Sequence, residues 1–416
     1  MVMSIMYREK PTDFTRQRKI GFKGILISIL ISTKLTLAAE VDNLLKKLGA
    51  DPDEEYTKQA YSKARQKLKA EAFIALNDMI VEEMYADAFK TFKNYRLIAA
   101  DGSTGELPNT PELKKLYGVY SEKTNNYPAA RVCVLYDVLN EVILNGKLFS
   151  YNESEQSVVY ELIPKTHNTV YQDLLLLDRG FPSVKLILLL NSSDKKFVMR
   201  VSRSFLKEVN EFSAGSDSDK TLAINITKRR LATHRIVGVD EPVNFTLRCV
   251  RIKLETEDEI LITNLTPEEM SLEELKWLYN KRWGIETSYN LLKNALEFEN
   301  FTGDTDRALQ QDFFATICIS NLASIMVADA QEEYEKSHEG KQTKLEYKIN
   351  KRMAISYLKN ELLHVLLQDS PAKAQKLYQK FVKKLSKQVV PIRNDRKFAR
   401  PLSHKPKYGR TNKRLF

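Results

Sequence analysis

The sequence predicts a mixed α/β protein: a mixed sheet with covering helices, interrupted by an all-β insertion and flanked by a helical N-terminal region and a helical, basic C-terminal one. Three observations carry this reading. From Tyr95 the chain breaks into short apolar runs, YRLIAADGST, ARVCVLYDVL, EVILNGKLFS, DLLLLDRG and KFVMRVS, with helical stretches only after the third and fourth. Between Ser202 and Pro267 apolar and polar residues alternate with the period of a strand. On either side the apolar spacing is helical instead. The chain thereby divides into residues 1–94 (helical), 95–201 (first part of the core), 202–270 (β insertion), 271–330 (second part of the core) and 331–416 (helical, ending in a basic tail).

Composition bounds the function. At 416 residues, 43% hydrophobic and 29% charged, the chain can bury a large core and is globular rather than disordered. It carries 65 Lys and Arg against 54 Asp and Glu, a net charge of +11, and a pI near 9.2, which implies an acidic partner, most commonly nucleic acid. Nine of those cations and one Asp fall between Pro391 and Phe416; a tail of this kind is suited to phosphate contact, and a solvated arm has the same composition. Cys133, Cys249 and Cys318 are too few and too scattered for a disulfide framework or a CxxC metal site, which fits a reducing cytoplasm. Arg16 to Ala39 has the basic-then-apolar order of a signal peptide, but Lys34 interrupts it and another helical pattern follows, so it reads as part of the fold. No stretch reaches the roughly 18 apolar residues of a membrane span.

Taken in order, the first 94 residues are helical, with a break near Gly49 to Pro52. Between Thr57 and Leu68, Tyr61, Ala64 and Leu68 make an apolar face, while Lys58, Ser62, Arg65 and Lys69 share the opposite one. That face suits a groove and its phosphates, and equally a plain solvated surface. The runs that follow give the order β-β-β-α-β-α-β, with Asn145-Gly146 as a hairpin turn, which is the order of a ribonuclease H-like fold. Asp101, in AADGST, and Asp178, in LLLDRGF, stand where a strand gives way to a turn, the edge at which such sheets expose functional groups. Asp is also an ordinary turn residue, so neither marks a site alone. In the insertion the alternation slips at Cys249-Val250, which suggests a bulge, and its cations could track a DNA backbone or simply face water.

The stretch Leu275 to Glu299, LKWLYNKRWGIETSYNLLKNALEFE, has no Pro, one Gly and leucines at helical spacing, and predicts one long helix. At about 100° per residue, Tyr279, Arg282, Glu286 and Lys293 share an arc of roughly 60° beside the apolar seam of Leu278, Ile285, Leu292 and Leu296. An ordinary amphipathic helix with an Arg282–Glu286 pair, worth roughly a few tenths of a kcal/mol, has the same pattern. Trp283 borders that arc, where it either stacks on a displaced base or joins the core. Three carboxylates, Asp101, Asp178 and Glu286, are oxygen ligands of the kind Mg²⁺ or Mn²⁺ takes, and two such ions can assist phosphodiester displacement. There is no GxxxxGK[ST] loop and no HExxH, and the five His show no metal spacing, so neither a nucleotide nor zinc is expected.

The spacing Tyr279-x2-Arg282-x3-Glu286-x6-Lys293 resembles the Tyr-Arg-Glu-Lys signature of the DDE transposases of bacterial insertion sequences, in the branch with a β-strand insertion before the last acid. DGST followed by LPNTPELKKLYG, and DRGF, resemble the family's two Asp motifs, and QDFFATICISNL resembles the block after the signature. The contiguous YREK at Tyr7 to Lys10 is a coincidence, because the signature is spaced. The resemblance implies catalytic, metal-ligating Asp101, Asp178 and Glu286 with two divalent ions, and Tyr279, Arg282 and Lys293 on the phosphates of a transposon end. It also implies an N-terminal end-binding domain, the setting in which Lys58, Arg65 and Lys69 would meet DNA. The expected partners are double-stranded DNA, as terminal inverted repeats and target, and a second copy of the chain in a synaptic homodimer; no membrane is expected. The expected activity is end cleavage and strand transfer in the bacterial cytoplasm; a non-catalytic repressor derived from such an enzyme, or a nuclease that cuts without joining, are the alternatives.

Overall fold

A computed structural model describes residues 2–16, 20–49, 56–86, 89–121, 126–166, 169–234, 236, 238–239, 241–253, 258–340 and 345–392. Most of the basic tail lies outside the described residues. Nine strands form one sheet: β1 (Tyr95–Glu106), β2 (Val119–Ser121), β3 (Asn126–Asp137), β4 (Val142–Ser150), β5 (Gln172–Leu177), β6 (Lys196–Val201), β7 (Asp219–Ile226), β8 (Val243–Ile252) and β9 (Glu259–Thr263). Their order is β2-β3-β1-β5-β6-β9-β8-β7, with β4 on β3. β1, β5 and β6 are parallel and the other pairings antiparallel, so the sheet is mixed. Leu97, Ala99, Leu174, Leu176 and Val198 face one side, and Ile98, Ala100, Leu175, Leu177, Phe197 and Met199 the other, all fully buried. Helices cover both faces, which is why these runs are apolar throughout rather than alternating.

Helices α1 (Val2–Met6), α2 (Phe22–Leu30), α3 (Leu37–Lys47), α4 (Lys58–Arg65) and α5 (Glu71–Ala86) precede the sheet. The stretch with signal-peptide order is instead core, with Ile25, Ile27 and Ile29 of α2 buried. Four short helices, α6 (Pro111–Tyr117), α7 (Glu155–Leu162), α8 (Val184–Ser192) and α9 (Lys207–Ala214), are followed by α10 (Lys228–Thr233). The remainder is α11 (Leu272–Lys281), α12 (Gly284–Asn294), α13 (Asp306–Ser337), α14 (Lys351–Leu366) and α15 (Pro371–Leu385), with the short strands β10 (Tyr347–Ile349) and β11 (Val389–Pro391) pairing alongside. Buried residues of α2 to α5 join those of α11 to α15 in one cluster on the first face of the sheet, and α7 to α10 contribute to the other. By length and composition α13 is apolar enough to cross a membrane, contrary to expectation, but 72% of its apolar window is buried in the protein, as suits a core helix. Its Asn321 accepts the Ile143 N–H (2.8 Å) and donates to the Ile143 carbonyl (2.8 Å), satisfying the open edge of β4.

The structure corrects four expectations. The insertion is not all-β: α9 and α10 lie within it, and β7, β8 and β9 extend the main sheet through the β6–β9 pairing instead of closing on themselves. The long helix is two, because around Arg282-Trp283 the bonds tighten to i→i−3 (Arg282 N–H to Tyr279, Trp283 N–H to Asn280, Ile285 N–H to Arg282). Asn145-Gly146 lies inside β4, and a Cβ on Gly146 would stand 2.9 Å from Val134, so this glycine permits close packing rather than a turn. The register of β8 runs unbroken through Cys249-Val250; both are buried because each faces a different covered side.

Candidate active site

The two aspartates are brought together by strand register. β1 and β5 run parallel with Ala100 opposite Leu177, so the next residues, Asp101 and Asp178, lie side by side on neighbouring strands. Asp178 follows the end of β5 as expected, but Asp101 does not stand at a turn: β1 continues through it to Glu106, paired with β3, because Asp101-Gly102 keeps its ladder partners Val134 and Cys133. Asp101 shares its face with Leu97 and Ala99, the side on which α11 and α12 pack. Helix α12 is pinned there by Tyr289, whose hydroxyl donates to the Asp101 carbonyl (2.8 Å), and by Lys293, which donates to the Thr104 carbonyl (2.7 Å). These bonds bring Glu286, in the first turn of α12, beside the two aspartates.

At the centre stands Arg282, only 2% exposed and placed at the junction of α11 and α12. One of its guanidinium nitrogens, Nη2, lies 3.6 Å from Glu286 Oε1 and 4.0 Å from Asp178 Oδ2, and its charge also acts on Asp101. The Tyr279 hydroxyl donates to Asp178 Oδ1 (3.1 Å), and Arg200 Nε approaches the same oxygen at 3.6 Å. Trp283 is 50% exposed, which overturns the core alternative, and its ring lies 4.8 Å from the Arg282 guanidinium. Lys293 stands apart from the acids, shared between Thr104 and Glu299 (3.5 Å).

The two aspartates are electrostatically unlike. Burial pushes the Asp101 carboxyl up to about 6, with Glu155 and Glu286 adding to it and the Gly102 N–H and Arg282 opposing. Burial also raises Asp178, but there the Arg179 N–H, Arg282, Arg200 and Tyr279 outweigh it and hold the carboxyl below its ordinary value. Among the described residues no three His, Cys, Asp or Glu side chains lie close enough together to hold a metal ion. The donor set nevertheless suits a hard divalent cation, with carboxylate oxygens only, gathered around one arginine. Arg282 Nε is buried without a hydrogen-bond partner among the described residues, so this centre holds a cation that its surroundings do not fully satisfy.

The N-terminal cations do not form one face. Arg65 is 4% exposed and paired with Asp312 of α13 (2.8 Å), and it also donates to Gln311 (2.7 Å) and the Ala308 carbonyl (3.0 Å). It is a core ion pair rather than a DNA contact. Helix α4 ends at Arg65, so Lys69 leaves the arc and is half-buried, while Lys58 stays exposed. Sequence reasoning missed Arg200, Tyr289 and Glu155. Arg200 was detectable as a cation inside an apolar strand. Glu155, whose carboxyl rests against Gly102 so closely that a Cβ there would lie 2.1 Å from Glu155 Cδ, left no local signal.

Comparison with known proteins adds three findings. The family model described as "Transposase DDE domain" matches residues 93–322, more than half of the chain and the whole of the site above. A relative from Escherichia coli (strain K12), described as "Putative transposase InsZ", is 24% identical over 161 residues, 36% of this chain and 53% of the relative, so the chain spans about half the length of that relative. Among solved structures, the cryo-EM structure of a piggyBac transposase synaptic complex with hairpin DNA matches with a TM-score of 0.43 and 10% identity, over 88% of this chain and 75% of that one. With a family match that extends over more than half of its length, the chain belongs to the family of the transposase DDE domain.

Proposed function

We propose that the protein is a transposase that cleaves transposon-end DNA and transfers the strand into target DNA, using Asp101, Asp178 and Glu286. The observation that carries this is the gathering of those three acids, from two neighbouring strands and a helix, around Arg282. Two divalent ions held by these carboxylates, Mg²⁺ or Mn²⁺, would supply Lewis acidity at the attacked phosphate. The residues themselves bind and orient. Tyr279 and Arg282, at the acids, and Lys293 further along α12, hold phosphates of the end, and half-exposed Trp283 stacks on an unpaired base. In the first reaction water attacks the phosphorus, the bond to the 3′ oxygen breaks, and that oxygen leaves with a proton as a 3′-hydroxyl. In the second the 3′-hydroxyl gives up its proton and attacks a target phosphate, the bond from that phosphorus to the target's own 3′ oxygen breaks, and that oxygen leaves with a proton as a new 3′-hydroxyl.

The same reading takes the core as ribonuclease H-like and the chain as a member of the insertion-sequence branch with extra strands before the last acid, in keeping with β7 to β9. It retains the division at 94, 201, 270 and 330, places exposed Lys58 and half-buried Lys69 nearer DNA than Arg65, and has a homodimer assemble on two ends in the bacterial cytoplasm. The test is cleavage of a labelled duplex carrying the DNA that flanks the gene, with Mn²⁺ or Mg²⁺, by wild type and Glu286→Gln. Metal-dependent cuts by wild type, and binding without cuts by the variant, are expected. Binding without cuts by wild type would point to a repressor, and cuts without joined products to a nuclease.

A further inference from the structure

Arg282 is unusual for a buried arginine. It is 2% exposed, yet its contacts to Asp178 and Glu286, at 4.0 and 3.6 Å, exceed the roughly 2.7–2.9 Å of a formed charge-assisted bond. Among the described residues its Nε has no acceptor, and both neighbouring aromatic rings lie against the guanidinium, Trp283 at 4.8 Å and Tyr279 at 5.6 Å. The cation is thus held by the charge of the acids and by ring faces, not by a fork of hydrogen bonds. It also sits where α11 gives way to α12, so its backbone belongs to neither helix. Arg200 makes a second, similarly loose approach to Asp178, at 3.6 Å, but is anchored by Glu259. Among the described residues Arg282 makes no such ion pair outside the acids.

We propose that in the DNA-free protein Arg282 is the counter-ion of the three acids, competes with divalent ions for them, and is drawn off by a DNA phosphate, so that ion loading is coupled to DNA binding. The idea rests on the transposase reading of the acids. A phosphate offers the planar guanidinium the paired acceptors it lacks, and its departure restores the acids' charge to an incoming ion. Such coupling is reciprocal: DNA tightens ion binding by the factor by which ions tighten DNA binding.

The experiment titrates the full chain with Mn²⁺ alone, following free ion by electron paramagnetic resonance. Removing the competing charge in Arg282→Gln is expected to tighten Mn²⁺ binding by about tenfold. A short duplex of the DNA flanking the gene should tighten wild type similarly and leave the variant nearly unchanged. Equal or weaker Mn²⁺ binding by the variant overturns the proposal. Asp101→Asn separates this from a failure of the acid assignment: if it binds as many ions as tightly as wild type, the acids are not the metal site and both ideas fall together. Should Arg282→Gln not fold, Trp283 fluorescence in Trp277→Phe protein reports Arg282 directly. Mg²⁺ should change it saturably, and not in the Asp101→Asn background; no change overturns the proposal.

Discussion

Replacing Asp101 by Asn should stabilise the metal-free protein, in a pH window fixed by its surroundings. Burial, with Glu155 and Glu286 adding, pushes this carboxyl from 3.8 up to about 6 against the pull of the Gly102 N–H and Arg282. Between those values the folded protein keeps a proton that the unfolded chain has released, so stability falls as pH rises from about 4 to about 6 and stays reduced above it. About two pH units at roughly 1.4 kcal/mol each set an upper bound of ~3 kcal/mol. Water reaching the partly open carboxyl reduces this to ~1–2 kcal/mol. Asn has nearly the same shape and no charge to desolvate. Urea melts in EDTA should therefore find Asp101→Asn more stable than wild type by ~1–2 kcal/mol near neutral pH and indistinguishable near pH 4, with m unchanged. Excess Mg²⁺ should reverse the order, because only wild type gains ligand-binding free energy at this site. A variant less stable than wild type near neutral pH in EDTA would refute the argument that the acid site stores unfavourable charge.

Three further outcomes follow from the geometry. Arg65→Met leaves Asp312, 1% exposed, without its main partner and should cost ~3–5 kcal/mol in chemical denaturation while DNA affinity per folded molecule is unchanged; lost affinity with intact stability would restore Arg65 as a DNA contact. Gly102→Ala drives a Cβ into the Glu155 carboxyl, the far end of a flexible side chain, so it should cost less than ~1 kcal/mol and lower the Asp101 titration seen by NMR; an unmoved titration would show that Glu155 does not act on Asp101. Deleting residues 393–416 removes nine Lys and Arg and should weaken DNA binding and flatten its salt dependence by about 0.9 in log–log slope per lost phosphate contact; an unchanged slope would show that the tail makes none.

The acids were legible because their signal is local. Each aspartate directly follows an apolar run, and two parallel strands in register, Ala100 with Leu177, need nothing further to bring those aspartates side by side, although only Asp178 lies at a strand end while β1 runs on past Asp101. Arg65 was misread because a helical wheel records direction and not distance. It cannot distinguish a cation facing water from one facing a carboxylate on α13, and only packing α4 against α13 decides that. The helix break at Arg282 was hidden for a similar reason. Both halves dock apolar seams, Leu275 and Leu278 in one, Ile285 and Leu292 in the other, and the tightened turn between them leaves the 3.6-residue pattern nearly intact. Asn145-Gly146 carried the residues of a turn for a different purpose, the close approach of Val134.

The unlike states of the two aspartates bear on the order of events at the site. Asp178 is held ionised by the Arg179 N–H, Arg282 and Arg200, so an ion arriving there displaces charge, not a proton. Asp101, near 6, still carries its proton in mildly acidic solution, and an ion that binds it must expel that proton. Ion binding should therefore release about nine-tenths of a proton from Asp101 one pH unit below its folded-state value and about one-tenth a unit above it. Calorimetric titration of Mg²⁺ in buffers of different ionisation enthalpy measures that release directly. A release that falls as pH rises through about 6, and vanishes in Asp101→Asn, locates the proton on this carboxyl. A release near zero at every pH would mean that the acids are already fully ionised before the ion arrives, and the asymmetry between the two aspartates would then have no chemical consequence.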